Sequence, residues 1–256
     1  MDTKAIADDL WDELRAGRHM PPRWGGRMSM DEAYAVQLDL LDRHLSAGER
    51  QAGWKVGLTA AAMRAQQGVY EPCFGYLLES GACPSGHRFA FADLIAPGFE
   101  NELCLTVGSD LEGPGVDLEA ARAAVTHAAP ALEIIEKRGD LSGDLALAMA
   151  DNAQQKAFVV GAPVALTAEN GDLGRSDVSV YVNGGLQESA PGSNVMDGGA
   201  LLSVVWLANK LAGFGRGISA GQRIMSGSFT KQYAIARGDA VRCEFQPFGP
   251  VEATFD

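Results

Sequence analysis

Short runs of β-forming residues, separated by glycine-rich turns, fill most of the sequence after residue 52, and this pattern limits the fold more than any other feature. Seven such runs are recognisable: Gly53–Leu58, Phe99–Val107, Ala131–Glu136, Ala157–Val160, Val178–Val182, Gln222–Phe229 and Ala240–Phe245. In the fifth run, apolar and polar residues alternate ahead of Asn183 and Gly184, a sequence typical of a β-hairpin. The pattern predicts strands that are joined by tight turns.

The first fifty residues have the apolar spacing of helices instead. Ile6 and Leu10 recur at helical spacing, and Ser29 with Glu32 forms a capping box ahead of a second helix. Three further helices are predicted at Leu118–Ala128, Asp144–Met149 and Gly199–Phe214. The sum is an α+β fold.

We predict two regions along the chain. Residues 1–52 form an N-terminal helical arm, and residues 53–256 form a β-rich domain of mixed sheet. The chain is 46% hydrophobic, which supplies enough apolar material for a sizeable core.

Charge and composition exclude several classes of partner. The net charge of −12 disfavours binding to nucleic acid, because phosphate backbones repel an acidic protein. The longest predominantly apolar run, Leu201–Ala208, is too short to cross a membrane, and the N-terminus lacks the features of a signal peptide. The four cysteines show no CxxC spacing and are typical of reduced thiols. We therefore expect a cytoplasmic protein with no membrane partner.

Three glutamates stand out in the predicted strands. Glu100 and Glu102 point to the same strand face, roughly 7 Å apart at Cα, although a solvated strand face would also explain this pair. Glu133 lies inside an otherwise apolar run, where a buried carboxylate needs a cation or a hydrogen-bond donor, whereas Glu136 is expected to be exposed. Oxygen ligands on two neighbouring strands would suit Mg²⁺ or Mn²⁺, which the sequence does not distinguish.

A lysine lies within the first predicted strand. Lys55 is flanked by glycines and apolar residues, and it could neutralise a substrate carboxylate or move a proton, or simply extend its amine to water.

The dinucleotide, P-loop, HExxH and GxSxG motifs are all missing. The four histidines show no metal-ligand spacing: His19, His44, His87 and His127. His44 and His127 are predicted to lie on helices.

Six segments in this order resemble the hydratase/decarboxylase branch of the fumarylacetoacetate hydrolase superfamily. They are GWKVGLT (53–59), FENELCLTVG (99–108), PALEIIEKR (130–138), ADNAQQKAFVVG (150–161), LLSVVWLANKLAGFG (201–215) and IMSGSFT (224–230). The resemblance runs from about residue 5 to the end. It implies a mixed β-roll behind an N-terminal helical part, and a homo-oligomer.

The resemblance also implies the roles of individual residues. The family's divalent-metal ligands correspond to Glu100, Glu102 and Glu133, and its active-site lysine corresponds to Lys55. The implied substrate-binding residues are Leu58, Cys73, Gln155, Ser226, Ser228 and Thr230.

Two segments depart from the family pattern. Hydratases commonly carry D-x-P-D-[FY]-G, but here Tyr70 and Cys73 replace both aspartates. Decarboxylases of the family often have an apolar residue at the second of these positions. Gln154 and Gln155 are bulkier than the usual small residues, which would reshape the pocket.

We predict a divalent-metal-dependent hydratase that adds water to a 2-hydroxy-2,4-dienoate in aromatic catabolism, giving a 4-hydroxy-2-oxo acid. A 4-oxalocrotonate-type decarboxylase on the same scaffold is the main alternative. An acylpyruvate-type C–C hydrolase is disfavoured, because such enzymes generally need a His–Glu pair near the metal. A non-catalytic partner subunit is also disfavoured, since converging carboxylates carry a desolvation cost that only a site would justify.

Overall fold

The computed structural model describes residues 2–17, 22–139 and 144–256, with the backbone alone for Pro22. Its helices are α1 Thr3–Arg15, α2 Met30–Ser46, α3 Ala61–Gln67, α4 Leu118–Ala124, α5 Leu145–Ala150 and α6 Leu201–Ala212. Its strands are β1 Gln51–Gly57, β2 Cys73–Leu78, β3 Ala82–Pro84, β4 His87–Phe89, β5 Pro97–Val107, β6 Val125–Glu136, β7 Gln155–Val160, β8 Val164–Ala165, β9 Asp177–Val182, β10 Gly185–Pro191, β11 Arg223–Met225, β12 Tyr233–Ala234, β13 Ala240–Gln246 and β14 Gly249–Phe255.

A mixed, curled sheet forms the larger layer. Nine described strands belong to it, in the order β2-β1-β11-β5-β6-β7-β3, with β12 added to β5 and β8 added to β6. The long antiparallel pair of β5 and β6 extends from Pro97 opposite Glu136 to Val107 opposite Val125. The short strand β11 pairs parallel with β1 and antiparallel with β5, so it joins the N-terminal edge of the sheet to its centre.

A second sheet packs on the first. Its order is β10-β9-β13-β14-β4, and both β13 and β14 contact β6. The predicted hairpin is confirmed, because β9 and β10 pair across Asn183 and Gly184, whose φ values of 52° and 78° match a type I′ turn. The buried side chains of Val180 and Val251 join the same hydrophobic core as the larger sheet. An α+β fold with a helical arm and a mixed β-roll is confirmed.

The helical arm packs directly on this core. Ser29 and Glu32 form the predicted capping box at the start of α2, and Ile6 of α1 is fully buried. Strand β1 begins at Gln51, immediately after the arm. The division into two regions near residue 52 stays a prediction, since the arm and the sheets share one core cluster.

One predicted helix is too long. Leu118–Ala128 was expected to be helical, but α4 ends at Ala124 and Val125 begins strand β6. The β-branched pair at 125 and 126, followed by Pro130, favours extended backbone, and ladder hydrogen bonds to β5 reinforce it. His127 therefore lies on a strand, not on the predicted helix.

One predicted strand is too long as well. Gln222–Phe229 forms ladder pairs only over β11, because the backbone turns away after Met225. Gly227 has a φ of 107°, a conformation that favours glycine. This turn directs the Gly227 N–H toward the face of the sheet that carries the glutamates.

The described helices are short. The longest, α2, has 17 residues and carries charged side chains such as Asp39 and Arg43. Within the described ranges, no helix has both the length and the apolar character that crossing a membrane requires.

Candidate active site and metal centre

The strands β5 and β6 bring three carboxylates together. Glu100 lies directly opposite Glu133 in the antiparallel register, and Glu102 follows two residues later on the same face. One carboxylate oxygen from each of the three residues lies within 4.8 Å of the others. Like charges directly opposite one another destabilise a sheet, so this arrangement requires compensation.

Neighbouring hydrogen-bond donors compensate little of this negative charge. Glu102 and Glu133 are fully buried, while Glu100 is partly exposed. The Gly227 N–H donates to Glu102 Oε2 over 2.8 Å. Glu102 Oε1 and both carboxylate oxygens of Glu133 accept no hydrogen bond from any group in the described part of the chain. Hydrogen bonds from the described residues therefore replace only a small part of the hydration that these carboxylates lose on burial.

The pKa values of the three carboxyl groups follow from this burial. Burial raises the pKa of Glu133 to about 7. Burial, with added repulsion from Glu133 and Glu100, raises the pKa of Glu102 well above its usual range. Burial also raises the pKa of Glu100. Each shift means that the ionised form lacks a sufficient counter-charge.

Lys55 supplies one positive charge beside this cluster. Its side chain is buried, and Nζ donates to the Ala153 carbonyl oxygen over 3.1 Å. Nζ also lies 3.4 Å from Glu133 Oε1. Burial disfavours the charged amine, but Glu133 and its acidic neighbours outweigh this effect and raise the pKa of Lys55. The amine is therefore an ammonium at neutral pH.

The three glutamates fit a divalent cation. Their oxygens converge, and Glu102 and Glu133 leave three buried oxygens without a hydrogen-bond partner among the described residues. Hard cations such as Mg²⁺, Mn²⁺ and Ca²⁺ take oxygen ligands of this kind. The acidic triad could thus hold a divalent ion with Lys55 as its neighbour.

A cavity of about 440 Å³ opens next to the triad. Lys55 and Glu100 line it, and so do the predicted substrate-binding residues Leu58 and Cys73. Burial raises the pKa of the Cys73 thiol to about 11, so this side chain is a neutral wall. Tyr70, at the other substituted family position, is fully exposed.

The predicted segment near the C-terminus lies behind the triad. Ser226 and Ser228 have hydroxyl groups that are buried without a hydrogen-bond partner in the described ranges, and neither residue lines the 440 Å³ cavity. Thr230 Oγ1 accepts a hydrogen bond from Asn101 Nδ2 over 2.5 Å. The contact of this segment with the triad is the backbone N–H of Gly227, which the sequence interpretation missed; the glycine between two serines was the available signal.

The adjacent residues Gln154 and Gln155 line different cavities. Gln154 lines the cavity with Lys55, whereas Gln155 is buried and lines a different cavity of about 180 Å³ beneath helix α1. Gln155 therefore lies apart from the other predicted substrate-binding residues. The sequence interpretation also missed Lys137 and Gln232, which line the 440 Å³ cavity; Lys137 lies within the PALEIIEKR segment, and Gln232 lies two residues after IMSGSFT.

The prediction that Glu136 is exposed was wrong. Glu136 is 1% exposed, and Arg138 donates to its Oε2 over 3.2 Å. The Ile95 N–H donates to Oε1. Two residues beyond Glu136, the chain itself supplies the guanidinium that makes this burial tolerable.

The three described histidines lie outside the candidate site. His44 is partly buried between α2 and α1, where its ring meets Trp11 edge-on at 4.9 Å. His87 contacts Phe89, and His127 lies beside Thr126. None of these three lines the 440 Å³ cavity, and His19 lies outside the described residues.

Comparison with known proteins agrees with this fold and site. No protein-family model matches the sequence. A 4-oxalocrotonate decarboxylase of Pseudomonas putida is 35% identical over 229 residues, covering 89% of this chain and 86% of the relative. A 2-hydroxyhexa-2,4-dienoate hydratase of Comamonas testosteroni is 32% identical over 255 residues, covering 96% and 94%.

Solved structures show the same likeness. The 4-oxalocrotonate decarboxylase from Pseudomonas putida G7, complexed with magnesium and adipate, has a TM-score of 0.92 at 32% identity, covering 99% of this chain and 97% of that one. A fumarylpyruvate hydrolase from Pseudomonas aeruginosa in complex with Mn²⁺ and pyruvate has a TM-score of 0.66 at 17% identity, covering 81% and 90%. The second likeness shows the fold alone.

The rolled mixed sheet, with three converging carboxylates and a lysine beside a cavity, defines the class: an enzyme of the fumarylacetoacetate hydrolase superfamily. The sequence identity to the relatives, and the share of each chain that is covered, narrow the assignment to a family within this superfamily. The chain belongs to the hydratase/decarboxylase family of that superfamily, a family of lyases.

Proposed function

We propose that this protein is a divalent-metal-dependent hydratase that adds water to a 2-hydroxy-2,4-dienoate and forms a 4-hydroxy-2-oxo acid. One observation carries the proposal: the Lys55 ammonium lines the cavity and contacts both the Ala153 carbonyl and Glu133. A proton donor is thereby fixed beside a site for a small anionic substrate. The likeness to the Comamonas testosteroni hydratase supports the same reaction.

The cavity is lined by both charged and apolar side chains. Glu100 and Lys55 are among the charged residues, and Leu58, Met63 and Met149 are among the apolar ones. A dienoate would place its carboxylate and C2 oxygen near Glu100 and Lys55, and its hydrocarbon tail against apolar lining residues. Mg²⁺ or Mn²⁺ held by the triad would act there as a Lewis acid toward the substrate oxygens.

Lys55 would take part in the proton transfers of ketonisation and hydration. Ketonisation moves the proton of the C2 hydroxyl to the distal carbon of the diene, and conjugate addition of water then places OH on C4 and H on C3. An ammonium has three N–H donors, and Ala153 accepts one of them. The raised pKa of Lys55 keeps the amine charged, and this charge would attract the substrate carboxylate. A proton that Nζ delivers to the distal carbon would be replaced by the proton of the C2 hydroxyl, so Lys55 would end the step as an ammonium.

A decarboxylase is the second candidate, and a specific observation favours it. Among the described residues that line the cavity, Glu100 is the only acidic side chain, and neutral Cys73 stands where hydratases commonly carry an aspartate. Decarboxylation of a substrate such as 4-oxalocrotonate adds no water. It therefore needs no second acidic side chain to activate a water molecule. The 35% identity to a 4-oxalocrotonate decarboxylase is consistent with this alternative.

A mass-resolved product assay tests both candidates. The purified protein is given 2-hydroxypenta-2,4-dienoate and, separately, 2-hydroxymuconate, each with Mg²⁺ and again with excess chelator. We expect a metal-dependent gain of one water on the first substrate. Metal-dependent loss of carbon dioxide from the second substrate, without hydration of the first, would replace the hydratase by the decarboxylase. No change in either substrate would contradict both.

A further inference from the structure

A turn of unusual backbone conformation lies beside the cavity. Asn152, Ala153 and Gln154 are three successive non-glycine residues with positive φ values of 54°, 49° and 65°. Such conformations are costly and persist only where the surroundings fix them. The turn matters for the site, because the Ala153 carbonyl accepts the hydrogen bond of Lys55 and Gln154 lines the cavity.

Arg138 holds both ends of this turn. Its Nε donates to Asp151 Oδ2 over 2.8 Å, and Nη2 donates to the Asp151 carbonyl over 3.0 Å. Nη2 and Nη1 also donate to the Gln155 carbonyl, over 3.3 Å and 3.4 Å. Glu136 accepts from Nη1 as well, and the arginine is only 7% exposed. One guanidinium thus joins the residues that immediately precede and follow the turn.

The first residue of the turn is fixed by strand β2. The Tyr76 N–H donates to Asn152 Oδ1 over 2.7 Å, and Asn152 Nδ2 donates to the Tyr76 carbonyl over 3.0 Å. The neighbouring Gly75 pairs with Lys55 in the sheet, and a Cβ there would lie 2.8 Å from Asn152 Oδ1 and 3.2 Å from Lys55 Cε. Lys55 and the turn are therefore packed together with no spare room.

We propose that Arg138 is a positioning residue for the lyase reaction. By holding the main chain of Asp151 and Gln155, it fixes the Ala153 carbonyl, and through that carbonyl it fixes the Lys55 ammonium. The inference rests on the proposed role of Lys55. Arg138 does not line the 440 Å³ cavity; it lines the separate 180 Å³ cavity beneath α1, so its effect on the reaction is transmitted through the turn.

The test is a kinetic double-mutant cycle with Arg138→Gln and Lys55→Ala. We expect Arg138→Gln to lower kcat about 100-fold, the scale for a misplaced catalytic group, with little change in KM or in the Kd for Mn²⁺. Adding Arg138→Gln to Lys55→Ala should cause no further loss, because both changes remove the same function. Independent, multiplying losses would overturn the inference.

Two further variants separate positioning from general damage. Asp151→Asn keeps the acceptor for Arg138 Nε but removes its charge, so we expect a smaller loss of kcat in a protein that still folds. Arg223→Gln is the matched control: Arg223 pairs with Glu79 and covers Phe158 on the same sheet, away from the turn, and should keep kcat. Equal losses in Arg138→Gln and Arg223→Gln would contradict a specific role.

Crystal structures of the variants test this inference independently of the proposed reaction. If the wild-type protein converts neither substrate, the proposed function fails, and the geometry still decides the inference. In Arg138→Gln, or in Asp151→Asn if the first variant does not fold, we expect the Ala153 carbonyl to leave hydrogen-bond distance of Lys55 Nζ. A turn and a Lys55 contact that are unchanged in the variant would overturn the inference.

Discussion

Lys55 Nζ lies 3.4 Å from Glu133 Oε1, although strands β11 and β5 separate their two strands in the sheet. The curl of the sheet closes this gap and brings the ammonium over the acidic triad. When all three carboxyl groups are ionised, one lysine leaves two negative charges uncompensated. A divalent cation would supply the missing charge, which a single proton could not, and this supports the proposed divalent-metal site.

Glu133→Gln should weaken metal binding. The substitution keeps the shape of the side chain but removes the charge and one anionic ligand from the centre of the triad. We expect the Kd for Mn²⁺, measured by calorimetry, to rise at least about tenfold. The matched control is Glu71→Gln, because Glu71 forms a surface pair with Lys210 and is half-exposed. An unchanged Kd in Glu133→Gln would remove this residue from the ligand set.

Lys55→Ala should reduce turnover without abolishing metal binding. Loss of a general acid or base typically costs about 10²–10⁴-fold in rate. Steady-state kinetics on the substrate identified by the product assay measures this effect, and calorimetry with Mn²⁺ shows that the triad remains intact. Full activity in the variant would refute the proton-transfer role of Lys55.

Gly227→Ala should damage both stability and the metal centre. Gly227 has a φ of 107°, and a Cβ there would lie 2.3 Å from Thr59 Cγ2. The shift would also move the N–H that donates to Glu102. Gly238→Ala is the control, because Gly238 has a φ of 89° with open space around it. We expect the control to lose about 1–3 kcal/mol of unfolding free energy and Gly227→Ala to lose distinctly more.

The Gly238→Ala control also separates the effect of Gly227→Ala on stability from its effect on metal binding. In urea titrations with and without Mn²⁺, Gly238→Ala should keep the wild-type stabilisation by the metal ion, while Gly227→Ala should lose part of it. Equal stabilisation by Mn²⁺ in both variants would show that the Gly227 N–H does not support the triad.

His44 should make the helical arm sensitive to acid. Burial lowers the pKa of His44 below its ordinary value of 6.5, although Glu49 opposes the shift. The unfolded chain therefore binds this proton more readily, so the stability that neutral His44 contributes is fully present above pH 6.5 and is lost as the pH falls below it. We expect the loss of unfolding free energy between neutral and mildly acidic pH to be smaller in His44→Gln than in the wild type. His127→Gln, a strand histidine, is the control and should follow the wild type.

The acidic triad was predictable because two simple rules act in the same direction. Alternation along a strand places Glu100 and Glu102 on one face, and the apolar surroundings of Glu133 predict its burial. The burial of Glu136 was not predictable by the same rules, because its partner Arg138 lies beyond the strand and folds back toward it. Only the three-dimensional course of the chain shows that pairing.

The backbone turn also lay beyond sequence reasoning. Positive φ is expected at glycine, yet Ala153 and Gln154 adopt it because Arg138 and Tyr76 impose it from both sides. For this reason Gln154 lines the cavity while Gln155 does not. The roles of the serines at 226 and 228 and the homo-oligomer stay predictions.

The position of β11 between β1 and β5 has a consequence for how the protein matures on the ribosome. The strand that carries Lys55 and the strand that carries Glu100 are both synthesised long before β11, yet they have no ladder contact with each other until β11 lies between them. The nascent chain must therefore carry an open sheet edge for most of its synthesis. The acidic triad on β5 and β6 therefore gains its Gly227 donor, and Lys55 its place beside the triad, only after residues 223–227 have been synthesised.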